Sequence, residues 1–105
     1  MNRFSEKDWK LFRSKISGWQ EAYMEKLNQG YIELLSGGGN ASDRFWALEK
    51  RIQEDKKDCG VQCRMSRSNL LSIMISLLNE GAITFNDLEG FSDDLKDTLR
   101  HLAGK

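Results

Sequence analysis

A chain of 105 residues, 39% hydrophobic and 30% charged, is long enough for one core, too short for two, and too apolar to be disordered. Sixteen basic and sixteen acidic residues give a formal net charge of zero, which argues against a protein working mainly through phosphate contacts, because those show a basic excess. Proline is absent, as suits an all-helical chain, since proline breaks helix interiors and is a common turn former.

The sequence predicts a long amphipathic helix over residues 5–35. Trp9, Phe12, Ile16, Trp19, Tyr23, Leu27, Tyr31 and Leu34 recur at steps of three or four and so share one stripe. Several of them carry a polar tip, so the stripe is expected to be only partly dry. Ser5 is a good N-cap, with Asp8 placed to reach back as in a capping box. Arg3, Lys7, Lys10, Arg13 and Lys15 outnumber Glu6 and Asp8 at this end, a pattern that a solvated helix face explains. Gly18 and Gly30 each cost about 1 kcal/mol against alanine in a helix interior, and a break, if there is one, is expected at Gly30. Unbroken, the helix would span roughly 45 Å and leave one end proud of the body, or covered by a second copy.

Gly37, Gly38 and Gly39 close the helix. They lack the following Gly-Lys-Ser/Thr and the preceding strand of a phosphate-binding loop, so they read as a helix–helix turn. Ser42 is expected to cap a second helix with Phe45, Trp46, Leu48 and Ile52 on its apolar side. Residues 58–66 form a polar connection. Beyond Ser66 or Ser68 a third helix carries Leu70, Leu71, Ile73, Met74, Ile75, Leu77 and Leu78, apolar nearly all round and therefore the core helix, ended by Gly81. Thr84 with Asp87 predicts a short capped turn, and Ser92 caps a last helix with Leu95, Leu99 and Leu102. The expected fold is all-α, a single helical domain over residues 1–105. In it a long N-terminal amphipathic helix packs with three or four shorter ones in a bundle.

Little in the chain resembles a chemical site. Cys59 and Cys63 form a lone C-x3-C pair, and zinc needs four ligands, which only a dimer would assemble from such pairs. The single histidine, His101, has no catalytic company in sequence and suits the negative pole of the last helix. No nucleophile elbow, metal-binding histidine pair or dinucleotide fingerprint is present, and Glu54/Asp55 and Asp93/Asp94 do not converge on one point. The expectation is a non-enzymatic protein without cofactor or metal.

Two interaction readings remain. The aromatics concentrate on the first two helices, and tyrosine and tryptophan are favoured at protein interfaces, although helical spacing reads most of them as core. Leu11, Ala22, Met24, Ile32 and Leu35 lie off the main stripe and form a weaker apolar strip suited to another subunit or a partner. The alternative is a nucleic-acid-associated regulator using the segment 44–67. There Arg44, Lys50, Arg51, Lys56, Lys57, Arg64 and Arg67 lie close in sequence, and Trp46 offers a stacking surface. Interleaved Asp43, Glu49, Glu54, Asp55 and Asp58 weaken that reading, and the helix after the connection is too apolar to read DNA. A small inhibitor or adaptor is a further form of the protein-binding reading.

Three phrases, FSEKDWKLFRSKISGWQEAYMEKLNQGYIELLS, FWALEKRIQEDKK and SRSNLLSIMISLLNEGAITFNDLEGFSDDLKDTLRHL, cover most of the chain. In them the chain resembles a family of small all-helical proteins from Gram-positive, gut-type bacteria, to which no activity is attached. The resemblance implies a cytoplasmic bacterial protein and assigns no residue a role. A cytoplasmic location is also expected because the N-terminus lacks the apolar run of a signal peptide. The most apolar stretch, residues 70–78, is about half the ~20 residues of a membrane span. A protein partner or homo-oligomer is expected; nucleic acid and membrane are not.

Overall fold

A computed structural model describes residues 5–103, and Arg3 of the basic N-terminal cluster lies outside them. Ser5 holds extended backbone and its side chain accepts the Asp8 amide at 3.1 Å, so helix α1 begins at Glu6 and runs unbroken over Glu6–Ser36. Neither interior glycine interrupts it. A Cβ at Gly18 would meet open space, and one at Gly30 would lie 3.1 Å from the Arg51 guanidinium, so Gly30 makes room for a side chain of the next helix. The turn that follows reverses the chain at Gly39, whose φ of +98° strains any residue with a Cβ.

Helix α2 covers Ala41–Asp55. Ser42 is not its cap, contrary to the sequence expectation. The Asn40 carbonyl accepts the Arg44 amide at 3.2 Å, which closes the first turn earlier and leaves Ser42 inside it. After the connection, a single 3-10 turn at Arg67–Asn69 leads into α3, Leu70–Glu80, which ends at Gly81 in the left-handed region. A second short turn, Phe85–Leu88, has the predicted capping box between Thr84 and Asp87. Helix α4, Asp93–Ala103, follows Ser92, whose Oγ accepts the Leu95 amide at 3.2 Å. Among the described residues there are four helices and no strand.

The core lies at one end. Phe12, Leu70, Met74, Leu77, Leu88, Leu95 and Leu99 are fully buried there, walled by Trp9, Ile16, Ile73, Ile83 and Phe91. Aromatic contacts run along α1 from Trp9 to Phe12 at 5.8 Å and Phe12 to Trp19 at 6.2 Å, then across to Phe91 at 6.3 Å. Among the described residues Asp8 is the one buried charged residue, and it does not complete a capping box with Ser5. Its carboxylate instead accepts the Ser92 amide at 2.8 Å and the Ser92 hydroxyl at 2.7 Å, tying the first turn of α1 to the start of α4.

Helices α1 and α4 pack on the core helix around residues 70–78, and α2 does not. Helix α2 pairs with the far half of α1 and buries no residue of its own. The molecule is accordingly long, 52 × 23 × 22 Å. Its radius of gyration is 16.3 Å, against about 13 Å for a compact chain of this length. The α1 stripe is dry at Trp9, Phe12, Ile16 and Tyr23, while Leu27, Tyr31 and Leu34 are only half-buried under α2.

Candidate functional site

The rotation of α2 on α1 is set by polar groups. Arg44, Leu48, Arg51 and Asp55 recur at helical spacing, and all four are half-buried. The Tyr31 hydroxyl donates to Asp55 at 2.6 Å, and the Arg51 guanidinium lies over the same ring, 5.5 Å from its centre. Arg44 donates to the Gly39 carbonyl at 2.7 Å and so braces the turn. Just beyond α2, the Tyr23 hydroxyl donates to Asp58 at 2.6 Å, and Gln20 donates to the Cys59 carbonyl at 2.9 Å. The Glu80 carboxylate takes the amides of Cys59 and Gly60 at 2.9 and 3.0 Å. The hairpin of α1 and α2 is thus pinned at both ends by hydrogen bonds rather than by a core.

With Leu48, Arg51 and Asp55 turned inward, Phe45, Trp46 and Ile52 of α2 are left exposed. Phe45 is 59% exposed and Trp46 62%, packed edge to face on each other at 4.8 Å, and Ile52 is 38% exposed. Phe45 and Trp46 therefore stand outside the core, unlike Trp9 and Tyr23, which are buried. Phe45 and Ile52 are seven residues apart and share a side of α2; Met24 and Leu35, eleven apart, share a side of α1. These sides adjoin at a groove of about 210 Å³, where Met24, Leu27 and Tyr31 meet Ile52 and Val61. That volume is below the roughly 300 Å³ at which small-molecule pockets begin. It suits an inserted side chain.

Of the predicted apolar strip, Met24 lines this groove and Leu35, 45% exposed, continues its side. Leu11 is packed on the core, close to Gly90. Ala22 is exposed on the side of α1 that Leu11 occupies, and Ile32, 55% exposed, lies on neither side. The five residues do not form one strip. What the spacing of the first helix did not reveal was the contribution of α2. The signal was present there as two seven-residue repeats, Arg44–Arg51 facing in and Phe45–Ile52 facing out.

The seven basic residues are also divided. Arg44 and Arg51 are engaged within the hairpin, and Arg67 forks onto Glu6 at 2.6 and 3.0 Å while lying over the Trp9 ring. That fork holds Glu6 below the usual carboxylate range. Lys56, Lys57 and Arg64 line one shallow depression beside Cys63, and Lys50 is exposed on α2.

Cys59 and Cys63 are free, half-buried thiols. Burial first, and then Glu80 beside Cys59 and Cys59 beside Cys63, pushes both up, away from the thiolate form that a nucleophile or metal ligand needs. His101 is exposed on α4 beside Leu71, Asp97 and Thr98, a different neighbourhood from the cysteines. No group of three or more His, Cys, Asp or Glu is placed to hold a metal ion among the described residues. No described helix is long and apolar enough to cross a membrane.

The tyrosines that pin the hairpin give it an alkaline limit. Burial, with Asp55 accepting the hydroxyl, pushes Tyr31 up to about 12, and burial beside Asp58 raises Tyr23 likewise. A tyrosine in the unfolded chain ionises near 10. The tyrosine contribution is therefore complete below pH 10 and falls as the pH rises toward 12, because the unfolded chain loses its protons first. Denaturation across this range should show wild type losing stability more steeply than the Tyr23→Phe/Tyr31→Phe variant; equal slopes would contradict the assignment.

Comparison with protein-family models, curated proteins and solved structures finds no match.

Proposed function

We propose that this chain is a non-catalytic, cytoplasmic protein-interaction module whose working surface is the outer side of the α1–α2 hairpin. One observation carries the reading: Phe45 and Trp46, 59% and 62% exposed, project from a helix held in register by polar contacts. Large aromatics of this kind anchor protein interfaces, whereas the fold gains little from them where they stand. The groove at Ile52, farther along the same hairpin, takes a side chain and not a cofactor. The free thiols fit a reducing compartment. An inhibitor, an adaptor and a self-associating subunit would all use such a face.

A photoreactive phenylalanine analogue in place of Gln53, seven residues from Trp46 on the same side of α2, tests this in host lysate. Protein adducts are expected from position 53 and not from the same analogue in place of the exposed Glu89. Equal yields, or none at 53, would contradict the reading.

A nucleic-acid reading keeps one observation in its favour, the shared depression of Lys56, Lys57 and Arg64. Phosphate contacts would make retention on heparin fall steeply with salt.

A further inference from the structure

Within the interaction reading above, on which this step rests, we propose that the occupant of the hairpin face is a second copy of the same chain. The two copies would turn end for end, so that α2 packs antiparallel on its counterpart with Ile52 near a two-fold axis. The charges of α2 are arranged for this. Phe45, Glu49, Ile52 and Lys56 follow one another on a single side of α2, spaced by four, three and four residues. Glu49 and Lys56 straddle Ile52, both are exposed, and neither takes part in an ion pair among the described residues. A two-fold axis beside Ile52 brings Glu49 of each copy against Lys56 of the other. Such a pattern is self-complementary in the sense an isologous contact requires. A copy packed in parallel would instead set Glu49 against Glu49 and Lys56 against Lys56.

The shape agrees. Phe45 lies roughly 10 Å from Ile52 along the helix. End-for-end packing carries it past the two-fold axis to the level of the other copy's groove, which Met24, Leu27 and Val61 line. The core ends of the two molecules then point away from each other and do not collide. Two antiparallel hairpins stacked in this way make a four-helix bundle, the arrangement by which helix pairs lacking a core acquire one. Two helices side by side along α2 present roughly 20 by 22 Å in projection, and their ridged surface exceeds that. The projection is about 440 Å², roughly half of the ~800 Å² that each partner gives to a standard interface, so the dimer expected is a small, concentration-dependent one. A formal net charge of zero adds no overall repulsion between copies.

The test uses the purified full chain alone, by sedimentation across micromolar concentrations. Wild type is expected at twice the 12.1 kDa chain mass. Glu49→Lys sets lysine against Lys56, and Lys56→Glu sets glutamate against Glu49, so each variant alone should dissociate at least ten-fold more readily at low salt. Mixed in equal amounts, the two should recover a dimer, because both pairs are then opposite in charge. Circular dichroism shows whether each variant keeps its helices; if either loses them, Glu49→Gln and Lys56→Gln replace the pair, each expected to weaken the dimer.

A monomer at every concentration would overturn the second-copy proposal while leaving adducts at position 53 to decide the interaction reading. A dimer indifferent to both substitutions, or a mixture no better than its components, would overturn it as well.

Discussion

Gly60→Ala is expected to lower the unfolding free energy by about 3 kcal/mol, at the upper end of overpacking costs. Gly60 is buried against the face of Tyr23. A Cβ there would overlap Cδ2 of the ring and lie 2.8 Å from two further ring atoms. Neither side can retreat cheaply. The ring is fixed by its hydroxyl, which donates to Asp58 at 2.6 Å, and the Gly60 backbone is fixed by its amide on Glu80 at 3.0 Å. Urea denaturation measures the loss. A change below about 1 kcal/mol would show that the connection moves as a unit and is not clamped between α1 and α3.

Asp8→Ala should cost about 2–3 kcal/mol, the range for losing hydrogen bonds to a charged group, increased by the desolvation of the donors left behind. Asp8 is 2% exposed, and its two oxygens satisfy both the amide and the hydroxyl of Ser92. Ser92 Oγ in turn caps α4 through the Leu95 amide. Removing the carboxylate therefore loosens a cap on a helix distant in sequence. Asp8→Asn keeps one acceptor oxygen and is expected to lose less. A loss under about 0.5 kcal/mol for alanine would mean that water replaces the carboxylate at no cost.

Much of the fold was legible in the residues. The spacing of Trp9, Phe12, Ile16 and Tyr23 marked the buried stripe of α1, and the all-round apolar run from Leu70 to Leu78 marked the central helix. Gly81, the Thr84–Asp87 box and Ser92 marked their boundaries, because these are local signals that a few neighbouring atoms decide. Asp8 was legible only as a helix-start residue. Its partner, Ser92, is far away in sequence, and nothing local announces a contact between two N-termini.

The candidate site was half visible for the same reason. The apolar residues of α2 could be listed, but which way they face depends on Tyr31 of another helix taking Asp55 and Arg51. Hydrophobicity would have turned Phe45 inward, whereas two polar contacts to one tyrosine turn it outward. Basic residues close in sequence were likewise separated by the partners they find, Gly39 for Arg44 and Glu6 for Arg67.

On the reading proposed above, the outer side of the hairpin serves contact rather than folding. The most direct measurement places the photoreactive analogue at position 53 and compares wild type with the Phe45→Ser/Trp46→Ser variant, while circular dichroism follows helix content. Full helix content with the adduct lost is expected. An adduct formed at wild-type yield, or a variant that loses its helices, would contradict it.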